Sequence, residues 1–442
     1  MSNNTKNQKD ILDKFSIEKL NAMQEEASHI IIANSEVVLL SPTGTGKTLA
    51  FLLPIIKELS KDCPEIQTLI IVPSRELAIQ IEQVARQMGS GFKINAVYGG
   101  RSGTLDKIDI KHRPAILIGT PGRVADHLRR DNFTTHFIKT LVLDEFDKSL
   151  EVGFENEMSE IINALPNLEK RILTSATQKV QIPDFVELKS PVYVNYLDEG
   201  VAKLQIKTII SPEKDKLETL KKALLQIGNV PGIVFCSFKE TIYRVSEFLD
   251  ENNISHGRFH GGMEQVERER ALIKFRNGTH QLLIATDLAA RGIDVPDIKF
   301  IMHYHIPLKS KEFIHRNGRT ARMKRDGVAY ILVWEEDELP DFIDELNPEK
   351  LKLNEIKELP TSKITEWKTL YITGGRKDKI SKGDIAGLFF KKGNLKKDEL
   401  GVIEIKQDCA FVGIQSTKAE SVIKLVNNSK LKKKKIRVSE IL

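Results

Sequence analysis

Residues 37–48 read Val37-Val-Leu-Leu-Ser-Pro-Thr-Gly-Thr-Gly-Lys47-Thr48, an apolar run that passes directly into a glycine-rich turn. Apolar residues at helical spacing follow over residues 49–60, so this stretch predicts a buried strand, a tight loop and a helix. In that context the N–H groups of the loop and the helix N-terminus cradle phosphates. A glycine turn without a ligand is the alternative, but it leaves Lys47 and Thr48, at the spacing that phosphate loops require, unexplained.

The polar residues of this loop are predicted to bind a magnesium–nucleotide complex. Lys47 would contact the β- and γ-phosphates, and Thr48 would bind Mg²⁺. Ser41, another small residue, stands where the pattern usually begins with glycine. The other loop residues expected around the phosphates are Thr43, Gly44, Thr45 and Gly46.

Short apolar runs alternate with helical stretches along the chain, which indicates parallel sheets covered on both faces. The pattern stops in a polar stretch near residues 198–212 and then starts again. It therefore predicts two α/β lobes, residues 1–198 and 207–345, joined by a short linker. The predicted strands are 37–40, 68–72, 115–118, 141–143 and 171–174 in the first lobe, and 232–236, 281–285, 299–302 and 328–332 in the second.

A third unit is predicted over residues 365–442. The preceding residues 335–363 contain three prolines and are interpreted as a trailing helix of the second lobe plus a linker. The tail then follows the order βαββαβ, which is typical of a ferredoxin-like fold of the RNA-recognition type. Its predicted strands are 369–373, 402–405, 409–414 and 435–438, and its predicted helices are 382–390 and 419–427.

Composition narrows the class of protein. The chain has 442 residues, 40% of them hydrophobic, which suffices for the cores of about two to four domains. No apolar run approaches the roughly 18 residues of a membrane span, and the N-terminus lacks an apolar signal core. Three scattered cysteines lack metal-binding spacing, so we expect reduced thiols in a cytoplasmic protein.

The net charge of +6 is unevenly distributed. Residues 361–442 hold 19 Lys and Arg against 9 Asp and Glu, so the remainder of the chain carries a net charge of −4. A small basic domain attached to a near-neutral core indicates a polyanionic partner. A merely solubilising surface is the alternative.

Two further motifs carry charges suited to phosphate chemistry. In Asp144-Glu-Phe-Asp147, Asp144 ends an apolar strand, so its carboxylate would lie at the sheet edge and hold Mg²⁺ through water, while Glu145 would orient or deprotonate the attacking water. Alternatively, this pair caps the next helix. His315-Arg-Asn-Gly-Arg319-Thr-Ala-Arg322 places basic residues three and four apart, on one helix face. Arg319 and Arg322 would act on the γ-phosphate as arginine fingers, or else form a solvated helix face.

With these motifs in order, residues 15–440 resemble the DEAD-box RNA helicases. The resemblance implies an α/β fold with two RecA-like domains in tandem, followed by an α+β domain like the RNA-recognition motif. It implies ATP and Mg²⁺ as cofactors, catalysis by Lys47, Asp144, Glu145, Arg319 and Arg322, and coupling of ATP to RNA by Ser175, Thr177 and His315. The RNA contacts that it implies are Arg75, Glu76, Gly100, Thr120, Gly122, Arg123, Gly262 and Thr286.

The resemblance also implies contacts to the nucleoside of ATP. Asp294 would contact the ribose, and Gln24 would read the adenine, for which a side-chain amide is suited. The chain departs from the family pattern where Ala22-Met23 replaces a Thr-Pro pair, where Phe146 replaces alanine, and where Asn317 replaces isoleucine. The charged residues of the motifs are retained.

The tail resembles the RNA-binding domain of the DbpA-like subfamily, through Gly374-Gly-Arg-Lys-Asp-Lys379 and Gly383-Asp-Ile385. This implies binding of a 23S ribosomal RNA hairpin in pre-50S particles. Arg376, Lys377 and Lys379 are candidate phosphate contacts, with residues 432–435 as a second basic cluster, and either cluster is alternatively solvated charge. Tyr371 and Phe411 are candidates for stacking on bases, or else belong to the core.

Together these features and the resemblance predict an ATP-dependent RNA helicase that acts in assembly of the large ribosomal subunit, with a monomer as the default expectation. One alternative is a general RNA chaperone, or a helicase linked to RNA decay, without a ribosomal address. Another is an ATP-gated RNA clamp that binds without unwinding. A DNA helicase fits less well, because the motif pattern implies contacts to ribose 2′-hydroxyls.

Overall fold

The structure, a computed structural model, describes residues 8–15, 17–100, 103–151, 153–177, 181–197, 204–287, 298–320, 327–355 and 367–441. The predicted contacts at Asp294 and Arg322 lie outside these residues. Of the helices that the structure describes, none is long and apolar enough to cross a membrane.

Seven parallel strands of the described first lobe form one sheet in the order β3-β4-β2-β5-β6-β1-β7. The strands are β1 (Glu36–Leu40), β2 (Thr68–Ile71), β3 (Ile94–Val97), β4 (Ile116–Gly119), β5 (Thr140–Leu143), β6 (Lys170–Ser175) and β7 (Val192–Asn195). The helices are α1 (Gln8–Lys14), α2 (Ala22–Ala33), α3 (Lys47–Glu58), α4 (Arg75–Met88), α5 (Gly103–Lys111), α6 (Pro121–Arg129), α7 (Phe146–Glu151) and α8 (Glu155–Asn163).

Strand β1 shows why the apolar runs are continuous. Val37 and Leu39 pack into one hydrophobic cluster, whereas Val38 and Leu40 pack into another on the opposite face. Because successive side chains of a strand point to opposite faces, both faces of this sheet are covered. The sheet thus leaves its strand ends as the places where polar loops emerge.

The described second lobe repeats this plan with seven parallel strands in the order β10-β11-β9-β12-β13-β8-β14. They are β8 (Leu204–Ser211), β9 (Gly232–Phe235), β10 (Gly257–Phe259), β11 (Leu282–Ala285), β12 (Phe300–His303), β13 (Gly327–Trp334) and β14 (Glu349–Leu351). The helices are α9 (Leu217–Ile227), α10 (Lys239–Glu251), α11 (Gln265–Arg276), α12 (Ser310–Asn317) and α13 (Asp341–Asp344).

Two sequence-based expectations about this lobe were wrong in detail. Strand β8 begins at Leu204, inside the polar stretch that was expected to be a linker, because it pairs along its whole length with β13. The trailing helix expected after residue 335 is the single turn α13, followed by strand β14, which pairs with β8. Leu351 of β14 is buried in the hydrophobic core of the second lobe, and this packing holds the short edge strand in place. The local sequence does not indicate a strand there.

The tail has the predicted βαββαβ order. Its described strands form an antiparallel sheet in the order β16-β17-β15-β20, with a small hairpin beside it. The strands are β15 (Trp367–Thr373), β16 (Leu400–Ile405), β17 (Cys409–Gln415) and β20 (Val438–Glu440), the hairpin is β18 (Lys430–Leu431) and β19 (Lys434–Lys435), and the helices are α14 (Lys382–Lys391) and α15 (Ala419–Val426). The last strand therefore starts three residues later than predicted, because residues 434–435 pair in the hairpin.

One face of the tail sheet packs against the second lobe. Asn277, just after α11, donates a hydrogen bond from Nδ2 to Thr369 Oγ1 (3.2 Å), and the hydroxyls of Thr279 and Thr369 lie 2.7 Å apart. Ion pairs join Arg276 to Glu404 (2.8 Å) and Glu269 to Lys406 (3.0 Å). These contacts make the tail and the second lobe parts of one compact unit.

The packed face is the one that carries the candidate stacking aromatics. Tyr371 and Phe411 are paired across β15 and β17 and make an edge-to-face contact with ring centroids 5.7 Å apart. Phe411 is buried and Tyr371 is half-buried. Next along β17, Gly413 admits Asn277, since a Cβ atom there would lie 3.1 Å from the amide carbon of Asn277. Base stacking on Phe411 is therefore closed off in this arrangement.

Replacing Gly413 with leucine should separate the tail from the second lobe, because the new side chain would occupy the position of Asn277. Trp367 lies over Gly278 in this interface, so in a Trp334→Phe background its fluorescence should shift to the red on separation. Gly387→Leu is the matched control, because a Cβ at Gly387 meets nothing within 4 Å. Unchanged emission from Gly413→Leu would contradict this docking.

A buried histidine should make the second lobe sensitive to acid. His303 lies on β12, and its Nε2 is 3.0 Å from Asn317 Oδ1 on α12. Burial, with the nearby charge of Arg316, lowers the pKa of His303 to about 3. The unfolded chain binds this proton near pH 6.5, so stability is full above that pH and falls toward pH 3, by at most about 1.4 kcal/mol per pH unit.

His303→Gln keeps an amide donor near the Nε2 position but does not titrate. Hydrogen-exchange protection of β9 and β12 should therefore fall less steeply between pH 6.5 and 5 in this variant than in the wild type, after correction for intrinsic exchange. His280 and His305, whose pKa values burial lowers to about 4, contribute equally to both proteins. Identical slopes would show that His303 does not carry this dependence.

Candidate active site

The first sheet brings the nucleotide motifs together at its carboxyl edge. Strands β5, β6 and β1 are neighbours, and the loops that follow them carry residues 144–147, 175–177 and 41–46. Strands β3, β4 and β2 continue the same edge, and the loops after them carry Gly100, Thr120 and Arg75. Because carboxyl ends of parallel strands share one edge, the predicted ATP and RNA motifs of this lobe form two adjoining groups.

The phosphate loop is closed by its own hydroxyl groups. Thr45 Oγ1 donates to the carbonyl of Pro42 (2.9 Å) and lies 2.8 Å from the hydroxyl of Ser41. Gly44 and Gly46 have φ angles of 84° and 89°, in the left-handed region that favours glycine. Ser41, which stands where a glycine is usual, thus braces the turn that leads into α3.

Lys47 is folded back over this loop. It is the first residue of α3, and its ammonium donates to the carbonyls of Ser41 (2.5 Å) and Pro42 (3.0 Å). Burial lowers the pKa of Lys47 to about 8, against the opposing attraction of Asp144 and Glu145. Thr48 follows on the next position of the helix.

Gln24 ties helix α2 to the phosphate loop. Its Nε2 donates to the carbonyl of Gly46 (3.2 Å), and its Oε1 accepts from the N–H of Asn21 (3.1 Å). Asn21 caps the helix and also donates from Nδ2 to the carbonyl of Thr45 (3.0 Å). Asn21 was missed at the sequence level, although Asn followed three residues later by Gln is a capping-box signal.

The carboxylates after β5 are crowded and buried. The side chains of Asp144, Glu145 and Asp147 are each at least nine-tenths buried. Thr174 on β6 donates to Asp144 Oδ1 and accepts from the N–H of Glu145 (3.1 Å). Burial, reinforced by the charge of Glu145, raises the pKa of Asp144 to about 6, and burial also raises the pKa of Asp147.

These residues fit a magnesium ion. A carboxyl group whose pKa is raised in this way is short of compensating positive charge, and a cation beside Asp144 would supply it. Carboxylate and hydroxyl oxygens are the ligands that Mg²⁺ prefers, and it binds through one or two carboxylates plus substrate phosphates. Thr48 and Asp144 therefore remain the candidate ligands.

Ser175 and Thr177 connect strand β6 to the carboxylates. Ser175 Oγ donates to the carbonyl of Thr177 (3.0 Å) and accepts from its N–H (2.9 Å). Thr177 Oγ1 donates to Asp147 Oδ2 (3.0 Å). The structure thus brings both predicted coupling residues of this lobe into contact with the Asp144–Asp147 motif.

The predicted RNA contacts of the first lobe lie on loops and helix starts. Arg75 begins α4, and its guanidinium packs against Gly99, next to Gly100. Thr120 is the N-cap of α6, and Gly122 follows in its first turn with open space beside it. Glu76, also predicted, is buried in the first turn of α4.

Arg123 has a buried partner that sequence reasoning missed. Its Nε donates to Asp106 Oδ2 (2.7 Å), and Asp106 on α5 is fully buried. The guanidinium itself is mostly buried. Its predicted RNA contact would therefore use a side chain that is already anchored in place.

In the second lobe, an arginine outside the predicted set anchors the motif helix. Arg316 on α12 donates through Nε and Nη2 to the carboxylate of Asp287 (both 2.5 Å) and through Nη1 to the carbonyl of His305 (2.6 Å). His315 precedes it on α12, and Arg319 follows in the turn that ends this helix. Because the helix ends at Asn317, the expectation that Arg319 shares one helix face with His315 was wrong, and Arg316 instead fixes the helix that immediately precedes Arg319.

The other predicted residues of the second lobe lie at strand ends. Thr286 follows β11 and donates its N–H to the carbonyl of Phe259 (3.2 Å). Gly262 follows β10 and donates its N–H to His260 Nδ1 (3.2 Å). Both therefore lie at the carboxyl edge of the second sheet.

The two basic clusters of the tail form one surface. Lys432 of the hairpin pairs with Asp384 (2.9 Å), and Lys434 pairs with Asp378 (3.2 Å). The hairpin therefore lies beside residues 376–384, a proximity that the sequence separation of about 50 residues conceals. We call this the basic tail surface, and its exposed members are Lys377, Lys379, Lys382, Lys432, Lys433 and Lys435.

Arg376 has a different part from its neighbours. Its guanidinium donates to the carbonyl of Ile405 through Nε (3.2 Å) and Nη2 (2.9 Å). It thus joins the loop to the end of β16, while Lys377 and Lys379 are exposed. The predicted set of three basic residues divides into one that holds the loop and two that face solvent.

Comparison with protein families matches three consecutive parts of the chain. Residues 21–185 match the DEAD/DEAH box helicase family, and residues 215–324 match the helicase conserved C-terminal domain. Residues 369–440 match the DbpA RNA binding domain. These matches follow the two parallel sheets and the antiparallel tail sheet.

Individual relatives resemble the chain over most of its length. The ATP-dependent RNA helicase DbpA of Bacillus subtilis (strain 168) is 30% identical, over 95% of this chain and 94% of the relative. DbpA of Escherichia coli (strain K12) is 29% identical, over 94% and 93%. The structure of S. cerevisiae Dbp5 bound to RNA and ADP BeF3 superposes with a TM-score of 0.68 and 25% identity, over 78% of this chain and 94% of that one.

The predicted fold class, two RecA-like parallel-sheet domains followed by an antiparallel tail domain, is thereby confirmed. The chain belongs to the DEAD-box ATP-dependent RNA helicases, in the DbpA-like subfamily that carries a C-terminal DbpA-type RNA-binding domain.

Proposed function

We propose that this RNA helicase locally unwinds short RNA duplexes while its C-terminal domain tethers it to 23S ribosomal RNA, and that it acts in assembly of the large ribosomal subunit. The observation that carries this proposal is the tail, whose match to the DbpA RNA binding domain contains the basic tail surface. Tethering by the tail raises the local concentration of the helicase core at its target. The proposed division keeps units at 1–198 and 365–442, whereas the second lobe, expected over 207–345, extends from β8 to β14 over residues 204–351. We propose a cytoplasmic monomer.

In the first lobe, the chain's own groups would bind and orient ATP. Lys47 would exchange the carbonyls of Ser41 and Pro42 for the β- and γ-phosphates, which are stronger partners for an ammonium. The N–H groups of residues 43–46 and of the first turn of α3 would hold the phosphates. Gln24, already bonded to the loop, would present its amide to the adenine.

Asp144 and Thr48 would hold Mg²⁺, with Thr174 keeping the Asp144 carboxylate in place. When bound, Mg²⁺ neutralises charge on the phosphates. Glu145 would orient the attacking water, and Arg319 and Arg322 of the second lobe would stabilise the transferred phosphoryl group. His315, together with Ser175 and Thr177, would couple this site to RNA.

RNA would bind along the neighbouring half of the same sheet edge. The first lobe would contribute Arg75, Gly100, Thr120, Gly122 and Arg123, with Glu76 behind them, and the second lobe Gly262 and Thr286. Helix starts and backbone N–H groups of this kind position a phosphate backbone without reading its sequence. The tail, rather than the helicase core, would therefore determine which RNA the protein binds.

Replacing Glu145 with glutamine should abolish turnover while leaving ATP binding intact. The change keeps the shape of the side chain and removes its ability to accept a proton, so we expect kcat to fall by about 10²–10⁴. Affinity for ATP should stay within a few-fold in equilibrium binding. Glu155→Gln, an exposed residue of α8, is the control. Retained turnover would remove Glu145 from the chemistry.

The same variant separates a helicase from an ATP-gated clamp. A helicase releases one strand of a short duplex through repeated cycles, so wild type should unwind with turnover and Glu145→Gln should not recycle. Stable RNA retention by both proteins, without strand release by the wild type, would favour the clamp.

Neutralising the basic tail surface should weaken binding of a 23S fragment. Lys377→Ala and Lys433→Ala each remove one candidate phosphate contact, so each should lower the salt dependence of binding by about one in log–log slope. Lys222→Ala, an exposed lysine of α9, is the matched control.

Measurements of RNA-stimulated ATPase activity test whether the protein is specific for 23S ribosomal RNA. A 23S fragment should activate wild type at lower concentration than unrelated hairpins do, and the two lysine variants should lose that preference. Equal activation by every hairpin would favour a general RNA chaperone.

A further inference from the structure

A lysine with a fully buried side chain lies beside the proposed water-orienting carboxylate. Lys148 is three residues after Glu145, and its Nζ is 2.7 Å from Glu145 Oε2. Its backbone N–H also donates to the carbonyl of Glu145 (3.0 Å). Because burial of a charge is costly unless the charge is paired, a lysine in this position requires its partner.

The backbone around Glu145 is held from two sides. Its N–H donates to Thr174 Oγ1 (3.1 Å), and its φ angle of 49° lies in the left-handed region. A non-glycine residue keeps such a conformation where surrounding contacts impose it, and this is common at functional sites. With the backbone held, the direction of the carboxylate depends on its side-chain torsions and therefore on Lys148.

Helix α7 supplies the rigid support for this lysine. Phe146, which stands where the family pattern has alanine, is buried in the hydrophobic core of the first lobe with Leu143 and Met158. This packing fixes the first turn of α7 and so the origin of the Lys148 side chain. The departure from the family pattern thus lies next to the buried ion pair.

We propose that Lys148 is a positioning residue for ATP hydrolysis, which holds one oxygen of the Glu145 carboxylate and so aims this group at the attacking water. The proposal rests on the proposed role of Glu145. A carboxylate that is already held in one orientation does not have to change its side-chain rotamer before the reaction. Such pre-organisation accelerates the chemical step and does not strengthen binding. Lys148 itself touches neither ATP nor water in this scheme.

A purely structural role is the competing explanation. Asp144 and Asp147 also lie near Lys148, so the lysine could serve only to balance buried negative charge. Loss of such a role would destabilise the lobe and weaken ATP binding, independently of residue 145. A positioning role predicts a loss of kcat that requires Glu145 to be present.

The test is a double-mutant cycle on the full-length protein, with single-turnover and steady-state ATP hydrolysis in the presence of RNA. Lys148→Met keeps the length of the side chain and removes its charge, and should lower kcat about 10- to 100-fold with KM for ATP within about threefold. In a Glu145→Gln background the same change should cause no further loss. Lys148→Arg should recover most of the activity.

Lys139→Met is the matched control, because Lys139 forms an exposed ion pair with Glu169 in the same lobe and should not affect kcat. The proposal is overturned if Lys148→Met leaves kcat unchanged, or lowers it equally in both backgrounds. If Lys148→Met does not fold, as judged by ATP binding and circular dichroism, the neutral and polar Lys148→Gln carries the cycle: its kcat loss must vanish beside Glu145→Gln, and a persistent loss, or none, overturns the proposal.

Failure of the underlying assignment has a separate signature. If Glu145→Gln alone leaves kcat unchanged, Glu145 is not the water-orienting group, and both the assignment and the role of Lys148 fall. If Glu145→Gln abolishes turnover while Lys148→Met does not alter it, the role of Lys148 alone is overturned.

Discussion

The arrangement of the candidate active site in the first lobe depends on compensation of buried negative charge at the end of its parallel sheet. Asp144, Glu145 and Asp147 are buried within four residues of chain, and burying a carboxylate is costly unless it is paired. Two ammonium groups, from Lys47 and Lys148, and hydroxyls from β6 supply part of the compensation. Thr174 and Thr177 join β6 to the acidic motif after β5, and the N–H of Ser41 donates to the carbonyl of Ser175. The groups that compensate the buried charge therefore also help to set the shape of the site.

The surfaces of the tail differ in what they contact. The face of its sheet that carries Tyr371 and Phe411 packs against the second lobe. There Gly413 and Thr369 contact Asn277, in the turn after α11. Exposed lysines lie instead on the loops and the hairpin, where ion pairs of Lys432 with Asp384 and of Lys434 with Asp378 hold the surface together. The RNA site proposed for these lysines would lie away from the sheet, so topology alone would not locate it.

Much of the fold could be predicted because its signals are local. Continuous apolar runs marked β1, β2, β4, β5 and β6 within about two residues, and glycine spacing marked the phosphate loop. Strand β14 escaped prediction because it is three residues long and its pairing with β8 spans about 140 residues. Strand β8 resembles a polar linker, since polar residues are interspersed along it and only Thr208, Ile209 and Ser211 of its eight residues are buried.

The sequence by itself determined which chemistry is present: a phosphate loop, an acidic motif, an arginine-containing motif and a basic tail, each recognisable from residue types at short spacing. Tertiary structure alone decided which groups meet. It paired Lys148 with Glu145, Thr174 with Asp144, Arg123 with Asp106, Arg316 with Asp287, and the 376–384 loop with the hairpin. Most of these partners lie on different elements, and their pairing follows from strand order and helix packing, which are set by long-range burial of apolar surface rather than by any short stretch of chain.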